Sequence, residues 1–341
     1  MKGTGEGSVF MNVGIVGCGL IGNKRAKALG GHRLVAVADT NAQRAKQLAG
    51  QYPGCEVAAD WEALVKRDDV NVVVVATTND ILAPATHAAV RNGKHVLVEK
   101  PAARNADELA PVVETASRAF RDSGVVIKVG FNHRFHPALL KAHEIYGTGA
   151  LGERMFVRGR YGHGGRLGMD KEWRGDPKIA GGGEMLDQGV HLIDLARWFL
   201  GDFSDVSGHV GRYFWDWAVE DNGFAMLRTD KGQVAWLHAS CTEWKNLFSF
   251  EICGKVGKLA IDGLGGSYGV ERLAYYKMLP QMGPPETTIW EFPGEDRSWH
   301  LEWAHFLDCI GHRRQPAGNL DDALAAMRIV QTLYDNSPAA R

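Results

Sequence analysis

Three glycines near the start of the chain constrain its fold more than any other feature. Gly17, Gly19 and Gly22 directly follow the apolar segment VGIV and begin a segment with helical spacing. In this arrangement the first glycine permits a tight turn, the second lets the backbone approach a pyrophosphate, and the third lets helix and strand pack closely. The phosphates would then lie against the amides at the start of the helix. The pattern predicts a dinucleotide-binding βαβ unit.

A carboxylate in the next strand supports this interpretation. Asp39 ends that strand about twenty residues after the glycines, where it can accept hydrogen bonds from both hydroxyls of an adenosine ribose. Its charge would repel a 2′-phosphate, and neither Thr40 nor Asn41 offers a cation to bind one. We therefore expect NAD as the cofactor, while Arg44, about one helical turn later, keeps NADP possible.

Two strand patterns divide the chain. Up to about residue 130, near-continuous apolar strands alternate with helices, which is typical of a parallel sheet covered on both faces. Beyond about residue 149, strands alternate apolar and polar residues and are separated by turns, which is typical of an antiparallel sheet. We predict an α/β protein with a doubly wound Rossmann domain over 1–130 and a domain over 131–341 with a large, mostly antiparallel open sheet. The C-terminal helical segments can pack on either domain.

Composition narrows the class of partner. The 39 basic and 40 acidic residues give no electrostatic footprint for nucleic acid or an anionic membrane, so a small molecule is the expected partner. The five cysteines are scattered without a C-x-x-C pair, and neither a disulfide framework nor a metal site is predicted. The first ten residues lack the apolar stretch of a signal peptide, and we expect a cytoplasmic protein.

Lys100 stands at an informative position. It ends a predicted parallel strand, and ligands bind at that edge of open α/β sheets. Pro101 constrains the backbone after it and is compatible with a cis peptide. Without further context, a lysine at such a position would more often be a solvated turn residue than a functional one.

A second polar group lies on a predicted helix over 184–200, which follows three glycines at 181–183. At about 100° per residue, Asp187, His191 and Asp194 form one stripe beside an apolar stripe. The two acids and the imidazole are therefore expected to share a face. Taken alone, His191 would more often be a structural histidine paired with an acid than a catalyst.

These signals together resemble the Gfo/Idh/MocA oxidoreductases, a family named for glucose-fructose oxidoreductase and inositol dehydrogenase. The resemblance covers nearly the whole chain and is carried by four ordered segments: the glycine loop 17–22, residues 76–79 with His87, residues 93–101, and the segment 181–191. It implies a Rossmann domain followed by an open-sheet domain whose exposed face commonly forms dimers or tetramers. Family substrates are mostly sugars, nucleotide sugars and cyclitols.

The resemblance also implies roles for particular residues. His191 would be the general base that takes a proton from a secondary hydroxyl as hydride leaves for nicotinamide C4. Lys100 would stabilise the developing alkoxide, and Asp187 would orient substrate or base. The positions that match cofactor-lining residues are Gly17, Gly19, Leu20, Ile21, Gly22, Asp39, Thr77, Thr78, Asn79, His87, Glu99 and Lys100. The positions expected near the substrate are Tyr161, His163, Trp173, Arg174, Asp187 and His191. Thr78 departs from the proline commonly found there.

Three functions remain open at this point. The first is an NAD-dependent dehydrogenase or reductase of a sugar, a sugar derivative or a cyclitol. The second is a glycosidase in which bound NAD transiently oxidises the sugar, and the third is a non-catalytic regulator that binds NAD. Retention of Lys100, Asp187 and His191 counts against the third. The substrate itself depends on loop geometry that sequence does not give.

Overall fold

The computed structural model describes residues 10–281 and 283–337, so the N-terminal stretch predicted to lack a signal peptide lies mostly outside the described residues. Its first sheet has six parallel strands: β1 (Asn12–Val16), β2 (Arg33–Ala38), β3 (Glu56–Val57), β4 (Val72–Val75), β5 (His95–Val98) and β6 (Ile127–Val129). They pair in the order β3-β2-β1-β4-β5-β6. The strand order reverses between β1 and β4, because the chain adds β2 and β3 on one side of β1 and β4 to β6 on the other. Such a topological switch point is where α/β sheets bind ligands.

Helices cover both faces of this sheet: α1 (Leu20–Lys27), α2 (Ala42–Ala49), α3 (Trp61–Val65), α4 (Asn79–Arg91) and α5 (Ala106–Ser123). Helix α5 begins after Asn105, whose side chain accepts a hydrogen bond from the Glu108 amide, and ends at Gly124 with a φ of +73°. All four residues of β4 are buried valines, as a strand covered on both faces requires. The predicted doubly wound parallel sheet is confirmed.

The second sheet has eight strands: β7 (Arg154–Gly162), β8 (Asp205–Gly211), β9 (Asn222–Arg228), β10 (Val234–Ser240), β11 (Leu247–Gly254), β12 (Gly257–Asp262), β13 (Glu271–Lys277) and β14 (Glu286–Phe292). Their order is β14-β13-β12-β11-β7-β10-β9-β8. Among the described strands of this second sheet, only β7 and β10 pair in parallel, so the predicted mostly antiparallel sheet is confirmed.

The remaining helices are α6 (Pro137–Gly147), α7 (Pro177–Ala180), a π-helical turn (Met185–Gly189), α8 (Val190–Leu200), α9 (Ser298–Gly311) and α10 (Leu320–Asp335). Sequence analysis did not anticipate α6. Of the two C-terminal helices, α9 packs Trp303 and Phe306 into one hydrophobic cluster with Val13 and Ile15 of β1. Helix α10 contacts α5 of the first domain and both α8 and β8 of the second. The C-terminal helices therefore connect the two sheets.

The predicted single helix over 184–200 is corrected to two segments, the π-helical turn and α8. The turn begins where Glu220, a buried carboxylate, accepts hydrogen bonds from the amides of Gly183 and Met185. Single π-helical turns inside helices are frequent at functional sites. The wider turn contains Asp187 and precedes both His191 and Asp194, so it changes the angular position of Asp187 relative to the stripe predicted from a regular helix.

Asp194 lies three residues after His191 on α8, and both contact the segment 132–135, His191 through His133 and Asp194 through Arg134. The two carboxylate oxygens of Asp194 accept hydrogen bonds from the Arg134 guanidinium at 2.6 and 2.7 Å, and the pair is buried. Bidentate pairs of this kind hold two elements in one geometry. Asp194 therefore fixes α8 against the segment 132–135 and contributes structure to the domain. In the described part of the chain, no helix is long and apolar enough to cross a bilayer.

Candidate active site

The glycine loop between β1 and α1 has open space at only one of its glycines. Gly17 has a φ of +93°, and a Cβ there would lie 2.3 Å from the carbonyl oxygen of Ala76. A Cβ at Gly22 would lie 1.9 Å from the carbonyl oxygen of Gly17, so neither position accepts a side chain. Around Gly19, no described atom lies within 4 Å of such a Cβ, and Leu20 is 74% exposed. This opening at the start of a helix fits a phosphate group.

Asp39 lies beside this loop at the end of β2. One carboxylate oxygen accepts a hydrogen bond from the Cys18 amide at 2.7 Å, and the other accepts one from the Asn41 amide at 2.7 Å. Each carboxylate oxygen has a further lone pair, so these bonds position the group without preventing contact with ribose hydroxyls. Ile21, the second residue of α1, lies half-buried in the same loop. The arrangement fits the adenosine half of a dinucleotide.

Three polar residues after β4 lie at the same edge of the sheet. The Thr77 hydroxyl donates to the Thr78 carbonyl, and the Thr78 hydroxyl donates to the Asp80 carboxylate. The Asn79 amide donates to the carbonyl of Ala180 at 2.8 Å, within buried surroundings. This bond joins the start of α4 to the loop that precedes the π-helical turn. The two domains therefore meet at the expected cofactor edge.

His87 and Glu99 do not present free polar groups there. His87 lies eight residues after Asn79 on α4, about 12 Å along the helix axis, and its ring bonds the Thr115 hydroxyl of α5. The structure therefore does not bring His87 to the site. Glu99 does lie at the end of β5, but its carboxylate pairs with the buried Arg25 guanidinium at 2.6 Å. Its role there is to hold the strand end.

That pair belongs to a buried ionic network which the sequence did not reveal. Arg25 also pairs with Glu302 of α9 at 2.6 Å, and Glu302 pairs with Lys128 of β6 at 3.2 Å. Burial raises the pKa of Glu99 even though Arg25 opposes the change. Removing one member of a buried network leaves an unpaired charge and typically costs about 3–5 kcal/mol. The network fixes the strand end that carries Lys100.

Lys100 and Asp187 join the two domains directly. The Lys100 ammonium donates to one Asp187 carboxylate oxygen at 2.5 Å and to the Asp187 backbone carbonyl at 2.7 Å. The other carboxylate oxygen accepts a hydrogen bond from Arg174 at 3.1 Å. Burial alone would raise the pKa of Asp187, but Lys100 and Arg174 hold that pKa well below its usual range. The Lys100–Pro101 peptide is cis.

His191 is held by rings. Its imidazole stacks on that of His133 with centroids 3.8 Å apart, and the rings of Phe131 and Tyr161 meet it edge-on at about 6 Å. Among the described residues, no partner bonds its buried Nδ1. Burial lowers the pKa of His191 well below 6.5, and the charge of Lys100 lowers it further. A neutral imidazole is the form that accepts a proton.

His133 is a site neighbour that no sequence motif indicated. The Asn132 amide nitrogen donates to the Ser298 hydroxyl at 2.9 Å, which turns its carbonyl oxygen toward His133 Nδ1 at 3.3 Å. The hydrogen-bond network thus assigns the proton to Nδ1 and leaves Nε2 bare. Burial lowers the pKa of His133 well below 6.5, so the ring stacked on His191 is neutral.

Four of the residues expected near the substrate come from the segment 161–174 of the second domain. Tyr161 is buried and shares a hydroxyl–hydroxyl bond with Tyr268. His163 Nδ1 accepts a hydrogen bond from the Gly165 amide, which leaves its proton on Nε2. Arg174 lies over the ring of Trp173, with the guanidinium carbon 4.5 Å from the ring centroid. Arg174 bonds Asp187, and the charge of Asp187 acts on both Tyr161 and His163, so these three residues lie around the Lys100–Asp187 pair.

Two buried acids lie close to these residues, and the sequence analysis predicted neither of them as part of the site. Glu184 lies 3.7 Å from His163 Nε2, and burial, with Asp187 nearby, raises its pKa well above the usual value. Glu220 accepts the Tyr334 hydroxyl hydrogen bond in addition to its two amides, and burial raises its pKa to about 7. The charged groups that bond one another in the site are Lys100, Asp187 and Arg174.

The arrangement combines a neutral imidazole with a fixed cation at the edge where a dinucleotide fits. The imidazole can accept a proton from a hydroxyl, and the ammonium can stabilise the negative charge left on that oxygen. Both groups lie in largely buried surroundings, where electrostatic interactions are stronger than in water. The site can therefore support reversible oxidation of an alcohol.

Known proteins support this assignment of the fold. The family model described as the oxidoreductase family, NAD-binding Rossmann fold, matches residues 11–131, and the GFO/IDH/MocA C-terminal domain matches residues 139–260. A solved structure of levoglucosan dehydrogenase in complex with NADH and levoglucosan superposes with a TM-score of 0.85 at 23% identity, over 97% of this chain and 98% of that chain.

Curated relatives are named as dehydrogenases. The chain is 28% identical over 235 residues to levoglucosan dehydrogenase of Pseudarthrobacter phenanthrenivorans, covering 65% of this chain and 59% of that protein. It is 31% identical over 229 residues to inositol 2-dehydrogenase 2 of Saccharopolyspora erythraea, covering 65% and 64%. The matches thus span about three-fifths of these relatives. With both domain models matched in order, the chain belongs to the Gfo/Idh/MocA oxidoreductases and carries their NAD-binding Rossmann domain.

Proposed function

We propose that this protein is an NAD-dependent oxidoreductase that moves a hydride between nicotinamide and a secondary alcohol or ketone of a sugar, a sugar derivative or a cyclitol. The observation that carries the proposal is the bond of Lys100 to Asp187, which places a cation from the Rossmann domain beside the segment leading to His191. The names of the relatives, levoglucosan and inositol dehydrogenases, support the substrate class.

Each residue has a distinct part in the proposed reaction. NAD, when bound, accepts the hydride. His191 Nε2 takes the hydroxyl proton, because Nδ1 is enclosed and the ring is neutral. Lys100 donates a hydrogen bond to the same oxygen and stabilises the alkoxide. Asp187 has both carboxylate oxygens bonded to Lys100 and Arg174, so we assign it to positioning these cations and not to orienting the base.

The first 130 residues would bind the dinucleotide, with Asp39 on the adenosine ribose and a preference for NAD over NADP. Residues 131–341 would bind the substrate and form a homodimer or homotetramer. Supporting this assembly, Met226, Trp236 and Ile289 are exposed on the outer face of the second sheet. All five cysteines are free thiols, which suits the reducing cytoplasm as location.

A panel of sugars and cyclitols, each tested for reduction of NAD, checks the proposal. We expect at least one to produce NADH together with the corresponding ketone. Hydrolysis of a glycoside without net NADH would instead indicate the glycosidase. Binding of NAD without turnover of any compound, in either direction, would favour a regulator.

A further inference from the structure

We infer that the substrate carries a second ring beyond the sugar being oxidised, and that this ring packs on an aromatic platform at the mouth of the site. The inference rests on the proposed function and names the class of substrate within it. We define the aromatic platform as Tyr213, Phe214 and Trp244, whose side chains are 64%, 54% and 71% exposed. Aromatic side chains normally bury much of their surface, so three exposed together call for an explanation.

One edge of the platform is held rigidly by a buried carboxylate. Asp221, which is fully buried, accepts hydrogen bonds from the backbone amides of Tyr213, Phe214 and Trp215 at 2.7–3.1 Å. The indole of Trp215 in turn donates to the carbonyl of Cys241 at 3.0 Å. A buried carboxylate that accepts hydrogen bonds from three successive amides fixes the turn in one conformation. The rings are therefore presented to solvent by a preorganised turn.

The other edge is formed by Trp244. This residue has a φ of +60°, a backbone conformation that residues other than glycine rarely adopt. Its ring meets the ring of Phe214 edge-on, with centroids 4.9 Å apart. Such strained residues cluster at ligand-binding segments, where the surrounding structure maintains them. The two loops thus form one aromatic surface.

The aromatic platform continues directly from the candidate active site. The backbone amide of His163 donates to the Ser240 carbonyl, and the backbone carbonyl of His163 accepts a hydrogen bond from the Glu243 amide. His163, which follows β7, is therefore bonded to the segment that leads to Trp244. A Cβ at Gly164 would lie 2.8 Å from the backbone of Trp244, and one at Gly165 would lie 2.2 Å from the ring of Trp215. The two glycines after His163 therefore let the chain pass close against the base of the platform.

Arg174 precedes a glycine that packs beside the aromatic turn. Gly175, the next residue, would place a Cβ 3.3 Å from the ring of Trp217, which follows Trp215 in the same aromatic turn. Arg174 itself bonds Asp187. A sugar held at the Lys100–Asp187 pair would consequently have the platform within reach of a group attached to it. A ring on such a group would cover apolar surface that a free monosaccharide leaves exposed.

The charges of the surrounding loops do not select an ionic group, so the aromatic side chains decide the class of occupant. The loop segments 163–176, 212–217 and 241–246 carry five basic and five acidic residues, so they offer no net charge. Flat rings stack on aromatic side chains, and the faces of sugar rings present apolar surface to them. The ring can belong to a second sugar or to a nucleoside. The shared chemistry is a ring linked to the reacting sugar.

Matched probes test the inference. For a sugar that reduces NAD, we would compare the free sugar, a disaccharide containing it, its 4-nitrophenyl glycoside and its uridine diphosphate conjugate. The variants are Phe214→Ala and Trp244→Ala, with Phe10→Ala as the control because Phe10 is an exposed aromatic residue on the first domain. We expect kcat/KM of at least one ring-bearing probe to exceed that of the free sugar by tenfold or more. That ratio should fall toward one in both platform variants and stay unchanged in Phe10→Ala.

The probe whose kcat/KM exceeds that of the free sugar shows whether the second ring is a sugar or a nucleoside. Equal kcat/KM for free and ring-bearing sugars, or a ratio unaffected by either variant, would overturn the inference while leaving the proposed function intact. A change of oligomeric state in both variants by sedimentation would also overturn it, because a second copy would then cover the platform.

If no sugar reduces NAD, the proposed function fails, and a binding measurement still decides the inference. Calorimetry with NADH present would compare the 4-nitrophenyl glycosides with the free sugars in wild-type protein and in Trp244→Ala. Tighter binding of a glycoside that is lost in the variant supports the platform. Equal binding in both proteins overturns it.

Discussion

The imidazole of His133 stacks on that of His191 with ring centroids 3.8 Å apart and planes 20° apart. A general base is usually oriented by a carboxylate or carbonyl on its second nitrogen. Here Asp187, four residues before His191, is bonded to Lys100 and Arg174, and Asp194, three residues after it, is bonded to Arg134. The orientation of His191 therefore depends on ring packing, and His133 is a positioning residue for it.

This relationship predicts different outcomes for two substitutions of His133. His133→Phe keeps a ring against His191, so we expect kcat within about threefold of wild type and an unchanged pH profile. His133→Ala admits water and frees the ring of His191, so kcat should fall roughly 10–100-fold. Its acid limb should also move to higher pH, because hydration removes part of the desolvation that lowers the pKa of His191.

Measurement of kcat/KM against pH in both variants checks the prediction. The other charged or titratable groups that act on His191 are Lys100, Asp187, His136 and Arg25, and both variants leave these unchanged. A purely structural His133 would lower stability in both variants without moving either limb. That outcome would remove it from the positioning role.

The pH dependence of oxidation follows from the pKa of His191. A free histidine side chain has a pKa near 6.5, but burial and the charge of Lys100 hold the pKa of His191 well below that value. A base is active when unprotonated, so oxidation should persist below pH 6.5 and decline only on further acidification. His191→Asn should lose roughly 10²–10⁴ in rate and lose the acid limb, with cofactor affinity nearly unchanged. An acid limb retained in that variant would assign it to another group.

The free energy of unfolding should depend on pH through the imidazoles of His133 and His191. His133 and His191 have folded-state pKa values well below 6.5, so the unfolded chain binds more protons once the pH falls below that value. The free energy of unfolding should then decrease with acidification, by up to about 1.4 kcal/mol per pH unit for each histidine. Urea midpoints at pH 7.5 and 5.5 should differ less in His133→Phe than in wild type. Equal differences would contradict the prediction.

Sequence patterns predicted the elements whose signals are local. The glycine loop, the carboxylate at Asp39 and the two sheet types follow from turn geometry and from the periodicity of apolar residues. The π-helical turn was not predictable, because it depends on Glu220, which lies over thirty residues away in the chain. His87 matched by spacing, yet its place on α4 turns it toward Thr115. Neighbours such as His133 and Trp244 needed the tertiary structure, since their contacts are made between distant segments.

The preference for NAD over NADP tests the proposed role of Asp39 at the adenosine ribose. The carboxylate also accepts the Cys18 amide hydrogen bond, so Asp39→Ala would disturb the loop as well as remove the charge. Asp39→Asn keeps an acceptor for that amide and removes only the charge. We expect wild type to prefer NAD, and Asp39→Asn to narrow the ratio of kcat/KM for NAD over NADP by about tenfold or more. A wild-type preference for NADP of that size, in the same assay, would contradict the assignment.

The Lys100–Asp187 bond makes a prediction about coupling between two domains. Lys100→Ala should lower kcat roughly 10²–10³-fold, because the alkoxide loses its cation, with less effect on KM if the contact strengthens as charge develops. Asp187→Asn removes the charge that holds the ammonium at 2.5 Å, so it should lower kcat through Lys100 while leaving the acid limb of His191 visible. The double variant should then be hardly slower than Lys100→Ala alone, since residues in one interaction are not additive. Full additivity, or an acid limb lost in Asp187→Asn, would mean that Asp187 orients the base after all and that Lys100 acts without it.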